Sequence, residues 1–215
     1  SSGHPKGVLV PHAGLVPVLD AQITAFSLTP ESRSLFLLGL GFDASLSDIG
    51  TALLAGATLV LEDDAACAPS ALLAVAAQRE VTYADVPPAY LPYLDESALP
   101  GCLATLVVGG EVAPQADVRR LAERVALFNV YGPTEATVGC CVHRVTDASP
   151  TSGAIPIGRP SPAPERGRSN HAIAARGRDR GLRRPCEPAD RGFSFAVPDP
   201  RGEIGRASCR ERVSS

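Results

Sequence analysis

Residues 129–137 read Asn-Val-Tyr-Gly-Pro-Thr-Glu-Ala-Thr, and the prediction of the fold starts from this segment. The apolar run at residues 125–128 leads into it and is short enough for a buried strand. Gly132 and Pro133 then predict a tight turn, because glycine allows a positive φ and proline fixes its own φ. In proteins that alternate strands and helices, such a turn presents ligand-binding groups at the carboxyl edge of a sheet.

Three side chains around this turn have the chemistry to bind a nucleotide. Tyr131 offers a flat face for a purine, Thr134 can donate a hydrogen bond to a phosphate oxygen, and Glu135 can hold Mg²⁺. A surface turn with ordinary polar residues explains the same pattern without a ligand. The residues by themselves leave both interpretations open.

The whole of residues 129–137 resembles the nucleotide-binding signature of the adenylate-forming enzymes, specifically the adenylation domains of non-ribosomal peptide synthetases. The resemblance implies that Tyr131 contacts adenine, that Thr134 contacts the α-phosphate and that Glu135 holds the metal. Thr134 and Glu135 are then the candidate catalytic residues, and ATP and Mg²⁺ are the implied ligands. The nucleotide-binding set that it implies is Gly109, Gly110, Glu111, Asn129, Tyr131, Gly132 and Thr134.

Residues 1–8 read Ser-Ser-Gly-His-Pro-Lys-Gly-Val and suit a loop whose backbone N–H groups wrap phosphate oxygens. The spacing of a Walker loop is absent, and a flexible terminus is the alternative. The segment is similar to the end of the family's phosphate loop. This similarity implies that Ser1, Ser2 and Lys6 face the β- and γ-phosphates.

Asp43 follows an apolar run at residues 35–38, which predicts a strand, and precedes a helix predicted from Ser45 to Gly56. Its carboxylate can cap the helix, and Asp48, three residues after Ser45, is predicted as a capping partner. The apolar face of this helix is predicted to contain Leu46, Ile49, Leu53 and Leu54.

The block that begins at Phe42 also resembles the peptide synthetases, and there the resemblance gives Asp43 a second role. It implies that Asp43 pairs with the α-ammonium of an amino-acid substrate. A partly buried ammonium needs a compensating carboxylate, whereas fatty-acid and aryl-acid substrates have no ammonium to neutralise. Asp43 therefore favours an amino acid as the substrate.

The resemblance also implies the lining of the substrate pocket, most of which is small or apolar. Asp85 is the exception, because an unpaired carboxylate is costly to bury. We therefore predict a polar or cationic side chain on the amino acid, with a hydrogen bond from Asp85 to water or backbone as the alternative. The family often has tryptophan at the position of Ser47. The implied pocket residues are Asp43, Ala44, Ser47, Asp85, Val107, Gly109, Val130, Val138 and Gly139.

The rest of residues 1–160 alternates strand and helix patterns. Strands are predicted at residues 57–61, 81–88 and 104–108, and helices at 13–26, with Pro17 in the first turn, at 69–80 and at 114–125. This alternation predicts an α/β fold, a mainly parallel sheet flanked by helices, with right-handed crossovers. By resemblance it is a partial core of an adenylate-forming enzyme.

The match to the family continues through residues 153–160 and stops there. Residues 161–202 are rich in Arg, Pro, Gly and Ala and are interpreted as a frame-shifted, disordered tail. A basic nucleic-acid arm is the alternative, but no aromatic residues interleave the arginines at positions 166–184. Residues 203–215 resemble translated sequencing-adaptor DNA. We expect residues 161–215 to be disordered, leaving 1–160 as the folded part.

Composition narrows the class of protein. A net charge of −3 gives no argument for nucleic-acid binding, and 45% hydrophobic residues suffice for a core. The sequence contains neither an apolar run of membrane-spanning length nor a signal peptide. The six cysteines form no CxxC pair, which favours reduced thiols in a cytoplasmic protein. Because the chain does not begin with Met, we expect a fragment.

The function expected from the resemblance is amino-acid activation. The intact family forms an aminoacyl adenylate from ATP and an amino acid and passes the acyl group to a phosphopantetheine thiol on a carrier domain. The expected partners are the amino acid and the carrier-protein and condensation domains, with no nucleic acid and no membrane. We expect the chain alone to turn over negligibly. A fragment of an acyl- or aryl-CoA ligase and a non-catalytic nucleotide-binding remnant are the alternatives.

Overall fold

The computed structural model describes residues 7–63, 65–146, 149, 154–160, 194–198 and 204–208. The chain divides into two compact units, Ser1–His171 and Ala172–Ser215. In the second unit the described residues form two antiparallel strands, which the sequence did not predict. The predicted division at residues 161–202 and 203–215 stays a prediction, because most of these residues lie outside the described part.

The first unit contains the helices and strands that position the candidate site. Its helices are α1 (His12–Phe26), α2 (Ala44–Ala55), α3 (Leu72–Gln78) and α4 (Gln115–Ala122), with short 3-10 helices at Pro88–Tyr93, Glu96–Ala98 and Thr134–Ala136. Its strands are β1 (Arg33–Phe36), β2 (Thr58–Leu61), β3 (Tyr83–Val86), β4 (Thr105–Gly109), β5 (Ala126–Tyr131), β6 (Cys141–Arg144) and β7 (Arg159–Pro160). The strands of the second unit are β8 (Ser194–Pro198) and β9 (Ile204–Ser208).

The seven strands of the first unit form one sheet in the order β2-β1-β3-β4-β5-β6-β7. The strands from β2 to β5 are parallel, while β6 and β7 run antiparallel to their neighbours. The predicted mainly parallel α/β fold is therefore confirmed. The antiparallel strands were not predicted; the short connection after β5 returns the chain beside that strand, which only an antiparallel pair permits.

Helices cover both faces of the sheet. On one face, buried residues of α3 and α4 such as Leu72 and Leu121 pack against Leu106 and Leu127 of the central strands. On the other face, α1 contributes Phe26, whose ring centroid lies 5.7 Å from that of Tyr83 and 5.2 Å from that of Phe128. None of the helices in the described ranges is long and apolar enough to cross a membrane.

Helix α1 contains Pro17 well inside its span rather than in its first turn, so the prediction for this proline was wrong. A proline there removes one backbone hydrogen bond of the helix. The helix nevertheless continues to Phe26, because its buried side packs against the sheet and α2. Tertiary packing thus outweighs the local preference.

Helix α2 faces the opposite way from the prediction. Leu46, Leu53 and Leu54 are 50%, 66% and 52% exposed, while the buried residues of the helix are mainly polar. The predicted capping role of Asp48 is also wrong, because Asp48 is fully buried and the hydroxyl of Ser45 donates to the carbonyl of Phe42 instead. The buried side of α2 consists of Ser45, Ser47, Asp48, Thr51 and Ala52.

Candidate functional site

The turn after β5 is built around Gly132. A Cβ on this glycine would lie 1.7 Å from the carbonyl oxygen of Val138, so no other residue fits here without a backbone shift. The backbone N–H of Cys140 donates to the carbonyl of Tyr131 at 3.0 Å and closes the loop. The predicted tight turn is confirmed, and it presents Thr134 and Glu135 as exposed side chains.

A hydrogen bond joins this turn to the beginning of α2. The hydroxyl of Thr134 donates to Oδ2 of Asp43, although the two residues are 91 positions apart. Asp43 occupies the N-cap position of α2, but its side chain makes no capping hydrogen bond. Of the two roles predicted for Asp43, the geometry therefore gives no support to helix capping.

Glu135 is a single exposed carboxylate beside Thr134. Within the described ranges, no cluster of three or more His, Cys, Asp or Glu side chains is arranged to hold a metal ion. This fits Mg²⁺, which proteins usually bind through one or two carboxylates while phosphate oxygens and water complete the shell. It does not fit a metal that needs a full cage of protein ligands.

Two glycines form an open surface beside Tyr131. Gly109 pairs with Val130 in the sheet, and a Cβ on Gly109 would lie 2.6 Å from the carbonyl oxygen of Val130. Gly110 has a φ of +83°, and no atom lies within 4 Å of the place where its Cβ would stand. The space at Gly110 leaves room for a flat ring to approach this backbone. The predicted contact of adenine with this backbone and with Tyr131 stays a prediction. Glu111 follows as an exposed residue.

Most predicted pocket residues of the sheet lie on the face covered by α1 and α2. Asp85 and Val107 are register partners on β3 and β4, and Val107 packs with the aromatic cluster on this face. Val130 lies two pairs further along the register, two residues beyond Phe128 on β5. A Cβ on Gly139 would stand 3.0 Å from Cγ1 of Val130, so Gly139 packs beside Val130 on the same face of the sheet.

The helical side of the pocket begins with Ala44, the first residue of α2. Ser47, one turn further, is buried, and its hydroxyl has no hydrogen-bond partner in the described part of the chain. Thr137 and Val138 have φ angles of +62° and +67°, which are strained for β-branched residues. The structure therefore places Val138 in a constrained loop beside Gly132.

Two residues of this region were missed by the sequence analysis. The side-chain nitrogen of Gln22 lies 2.7 Å from the position of a Cβ on Gly139, so α1 reaches the pocket. Asp48 is fully buried, and neither of its carboxyl oxygens has a partner of good hydrogen-bond geometry among the described residues. Asp48 was missed because its spacing after Ser45 is also typical of a helix cap. Gln22 was missed because it belongs to no recognisable motif.

The acidic groups of this face have perturbed pKa values. Burial raises the pKa of Asp85 to about 7, although the residue as a whole keeps some accessible surface. Burial, and next the charge of Asp85, raise the pKa of Asp48 well above its usual range, and the backbone amides of Leu38 and Leu37 oppose this shift only in part. Burial and the same two carboxylates also raise the pKa of Tyr83.

The side chain of Asn129 has a structural role in the fold. Its buried side-chain amide donates to the carbonyls of Pro156 at 2.9 Å and Ile155 at 3.4 Å and so fastens the segment that leads into β7. Its predicted contact with nucleotide stays a prediction. The other predicted phosphate contacts, Ser1, Ser2 and Lys6, lie outside the described residues.

A shallow groove lies at the opposite edge of the sheet, at the amino ends of β3 and β4. It is far from the turn after β5, and its lining includes none of the predicted site residues. The groove is lined by Phe26, Ser27, Leu28, Thr29, Glu31, Ser32, Thr82, Tyr83, Ala104 and Thr105.

Comparisons with known proteins found similar sequences and similar folds. The sequence model of a family described as AMP-binding enzyme matches residues 1–165. A linear gramicidin synthase of Brevibacillus parabrevis is 44% identical over 161 residues, which cover 74% of this chain and 2% of that protein. The chain therefore spans a small part of the length of this curated relative.

Two solved structures show the same fold. The AMPPNP-bound form of the nonribosomal peptide synthetase FmoA3 matches with a TM-score of 0.66 and 29% identity, covering 74% of this chain and 18% of that one. An NRPS protein containing adenylation and PCP domains, bound to a vinylsulfonamide inhibitor, matches with a TM-score of 0.56 and 34% identity, covering 62% and 24%.

Proposed function

Because this chain belongs to the AMP-binding enzyme family, we propose that it is part of a domain that activates an amino acid by joining it to AMP. The observation that carries the proposal is the hydrogen bond between Thr134 and Asp43. Thr134 belongs to the segment that resembles a nucleotide-binding signature, and Asp43 is the candidate partner of an α-ammonium. Their contact supports two ligand sites that adjoin each other.

On the nucleotide side, the chain provides a ring-binding surface and a polar turn. Adenine lies between the backbone at Gly110 and the ring of Tyr131, and Thr134 donates a hydrogen bond to the α-phosphate. Mg²⁺, when bound, neutralises charge on the phosphates of ATP, and Glu135 is the residue that holds it. Ser1, Ser2 and Lys6 are proposed as contacts of the β- and γ-phosphates.

On the amino-acid side, Asp43 accepts hydrogen bonds from the α-ammonium. The ammonium takes the place of the Thr134 hydroxyl at Asp43, and this hydroxyl is then free to donate to phosphate. Both partners carry a charge in the ammonium–carboxylate pair that forms at Asp43, whereas only the acceptor does in the hydroxyl–carboxylate bond that it replaces, so the new pair is the stronger one. Binding of the amino acid therefore prepares Thr134 for the nucleotide.

The reaction itself needs little covalent chemistry from the protein. A carboxylate oxygen of the amino acid attacks the α-phosphorus of ATP, the bond from this phosphorus to the bridging oxygen breaks, and pyrophosphate leaves with that oxygen. Asp43 and Thr134 hold the two reactants in line, and such positioning and charge neutralisation are the main sources of rate enhancement in phosphoryl chemistry.

The aminoacyl adenylate is proposed to pass its acyl group to a phosphopantetheine thiol on a carrier-protein domain, with a condensation domain as a further partner. The solved relative that contains adenylation and PCP domains supports the carrier partner. The solved relative FmoA3, a nonribosomal peptide synthetase, supports a role in peptide assembly outside the ribosome. We propose a cytoplasmic location for this chemistry.

Calorimetric titration of the chain with Mg·ATP tests the nucleotide half of the proposal. We expect binding that Tyr131→Ala weakens by roughly tenfold or more, since stacking of a base on an aromatic ring contributes about 1–3 kcal/mol. Tyr93→Ala is the matched control, because Tyr93 is 66% exposed and lies in a different segment. Absence of ATP binding, or an equal effect of the two variants, would contradict the proposal.

A further inference from the structure

The layer between α1, α2 and the sheet contains an unusual group of buried polar atoms. Buried polar groups in proteins normally have hydrogen-bond partners. Here the described part of the chain provides no partner of good hydrogen-bond geometry for atoms on three different elements, two of which also line the candidate pocket. The backbone amides of Leu37 and Leu38 lie near Asp48 but do not meet this geometry. These atoms are Oε1 of Gln22, Oγ of Ser34, Oγ of Ser47 and both carboxyl oxygens of Asp48.

The two acidic residues of this layer lie on adjoining elements. Asp48 is in the second turn of α2, near the backbone amides of Leu37 and Leu38 just past the end of β1. Strand β1 pairs with β3, which contains Asp85 near its carboxyl end. The two carboxyl groups are close enough for the charge of Asp85 to act on Asp48.

No cation of the described chain neutralises this pair. The ion pairs in the described residues join Arg79 to Glu62 and Arg120 to Glu96 and Asp117, and all of them lie elsewhere. The side chain of Asp85 makes no hydrogen bond or ion pair with another described residue, and Asp85 keeps accessible surface on the sheet face that it shares with Val107 and Gly109. A pair of buried carboxylates without a counter-ion is costly, so the pair holds a proton instead, and a cation that enters here can replace that proton.

We propose that the substrate of this site is an amino acid whose side chain ends in a cation, and that Asp48 and Asp85 together hold this cation. The inference rests on the proposed function, because it places the side chain of the activated amino acid between α2 and β3. It also extends the predicted pocket by one specificity-determining residue, Asp48.

An alkylammonium group suits these surroundings. It carries three donors, so it can reach both carboxylates, and the unpartnered oxygens of Ser47 and Gln22 offer further acceptors in the same layer. Asp43, at the start of α2, is still available to bind the α-ammonium. The pocket would therefore bind the two ends of a diamino acid at separate carboxylates.

Calorimetry with matched ligands tests this inference on the whole chain in the presence of Mg·ATP. The ligand pairs are lysine with norleucine, ornithine with norvaline, and 2,4-diaminobutyrate with 2-aminobutyrate, so each pair differs only in the terminal ammonium. We expect at least one cationic member to bind roughly 10- to 100-fold more tightly than its neutral partner, as for charge-assisted hydrogen bonds.

Variants test whether the two carboxylates cause the preference for the cationic ligand. Asp85→Asn and Asp48→Asn should each remove most of this preference, while the affinity for the neutral ligand stays within about twofold of the wild-type value. Asp20→Asn is the matched control, because it removes the same charge from an exposed position of α1. Far-UV circular dichroism of each variant shows whether it folds. If Asp48→Asn does not fold, the ligand preference of Asp85→Asn decides the test.

Proton release gives a second readout that a purely structural carboxyl pair would not show. Near pH 6 the pair retains a proton, and an incoming ammonium displaces it, so titrations in buffers of different ionisation heat should report about one proton released with the cationic ligand. The neutral ligand should release none. The other titratable groups on the enclosing elements are His12, Asp20, Arg33, Asp43 and Tyr83.

The outcomes separate this inference from the proposed function. Tighter binding of neutral amino acids, or an unchanged preference in Asp85→Asn, would overturn the inference and leave amino-acid activation intact. Failure of both classes to bind, with Mg·ATP bound normally, would overturn both.

Discussion

Thr134 and Asp43 are the two residues on which the candidate site depends. Each has chemistry suited to a different ligand, yet in the structure they are hydrogen-bonded to each other. We propose that a phosphate oxygen at Thr134 replaces this bond, because the hydroxyl has a single proton to donate. The two ligand sites would then be coupled through it, because the first ligand to bind releases the partner residue for the second.

Asp85 makes stability depend on pH. Its pKa is raised to about 7 in the folded chain, so the native state binds more protons than the unfolded state between about pH 4 and pH 7. Stability from this group is therefore complete at low pH and is lost as pH rises through that window. We expect wild type to lose up to about 4 kcal/mol more than Asp85→Asn across it.

Urea unfolding at a series of pH values measures this difference. The exposed Asp20→Asn variant is the control and should follow wild type. Parallel pH profiles of wild type and Asp85→Asn would show that the Asp85 carboxyl is not perturbed in the folded chain.

At the scale of single residues, the sequence predicts those positions at which one residue type is required. Gly132 was predicted because Gly-Pro after an apolar run specifies a turn, and the 1.7 Å approach of the Val138 carbonyl explains why a side chain is excluded. Asp48 could not be predicted, since an acidic residue three positions after a serine also occurs in capping boxes. Asp48 is buried because of the orientation in which α2 packs against β1, and local sequence does not encode this orientation.

Among the elements, α2 departs furthest from expectation. Hydrophobic periodicity shows that a helix has an apolar stripe, but it does not show which side meets the sheet. Here the polar stripe with Ser47 and Asp48 faces inward, and Leu53 and Leu54 face outward. The polar side lines the candidate pocket, and we propose that function rather than core packing accounts for the orientation of this helix.

Substitutions on the exposed stripe of α2 test this orientation. Leu53→Gln should change the free energy of unfolding by no more than about 0.5 kcal/mol, because Leu53 is 66% exposed. Leu121→Gln, at a fully buried position of α4, should cost about 3–5 kcal/mol through a lost apolar contact and a buried amide. A large loss in Leu53→Gln, measured by urea unfolding, would mean that this face is buried.

At the scale of the molecule, the parallel part of the sheet was predictable and the antiparallel part was not. Strands β1 to β5 alternate with helices, and this connectivity favours a parallel sheet. Strands β6 and β7 are short, and their pairing depends on the turn at Gly132 and on Gly158, whose φ is +89°. These contacts link distant residues, and no local pattern encodes them.

The same topology explains why the site could be predicted from motifs far apart in sequence. Parallel strands bring their carboxyl ends to one edge, so the residues after β1 and β5 meet there. The hydrogen bond between Asp43 and Thr134 is the direct consequence. What the motifs did not provide is the interior of the pocket, which depends on how α1 and α2 pack across the sheet.

The central claim is that a nucleotide and an amino acid bind side by side, one at Tyr131 and Thr134 and the other at Asp43. The most direct test is calorimetric titration of the chain with a non-hydrolysable aminoacyl-adenylate analogue and with the same analogue lacking its α-amino group. We predict that Asp43→Asn weakens the amino form roughly 10- to 100-fold and leaves the deaminated form unchanged. Equal affinity of wild type and Asp43→Asn for the amino form would contradict the account, and tighter binding of the deaminated form by wild type would indicate an acyl- or aryl-acid substrate instead.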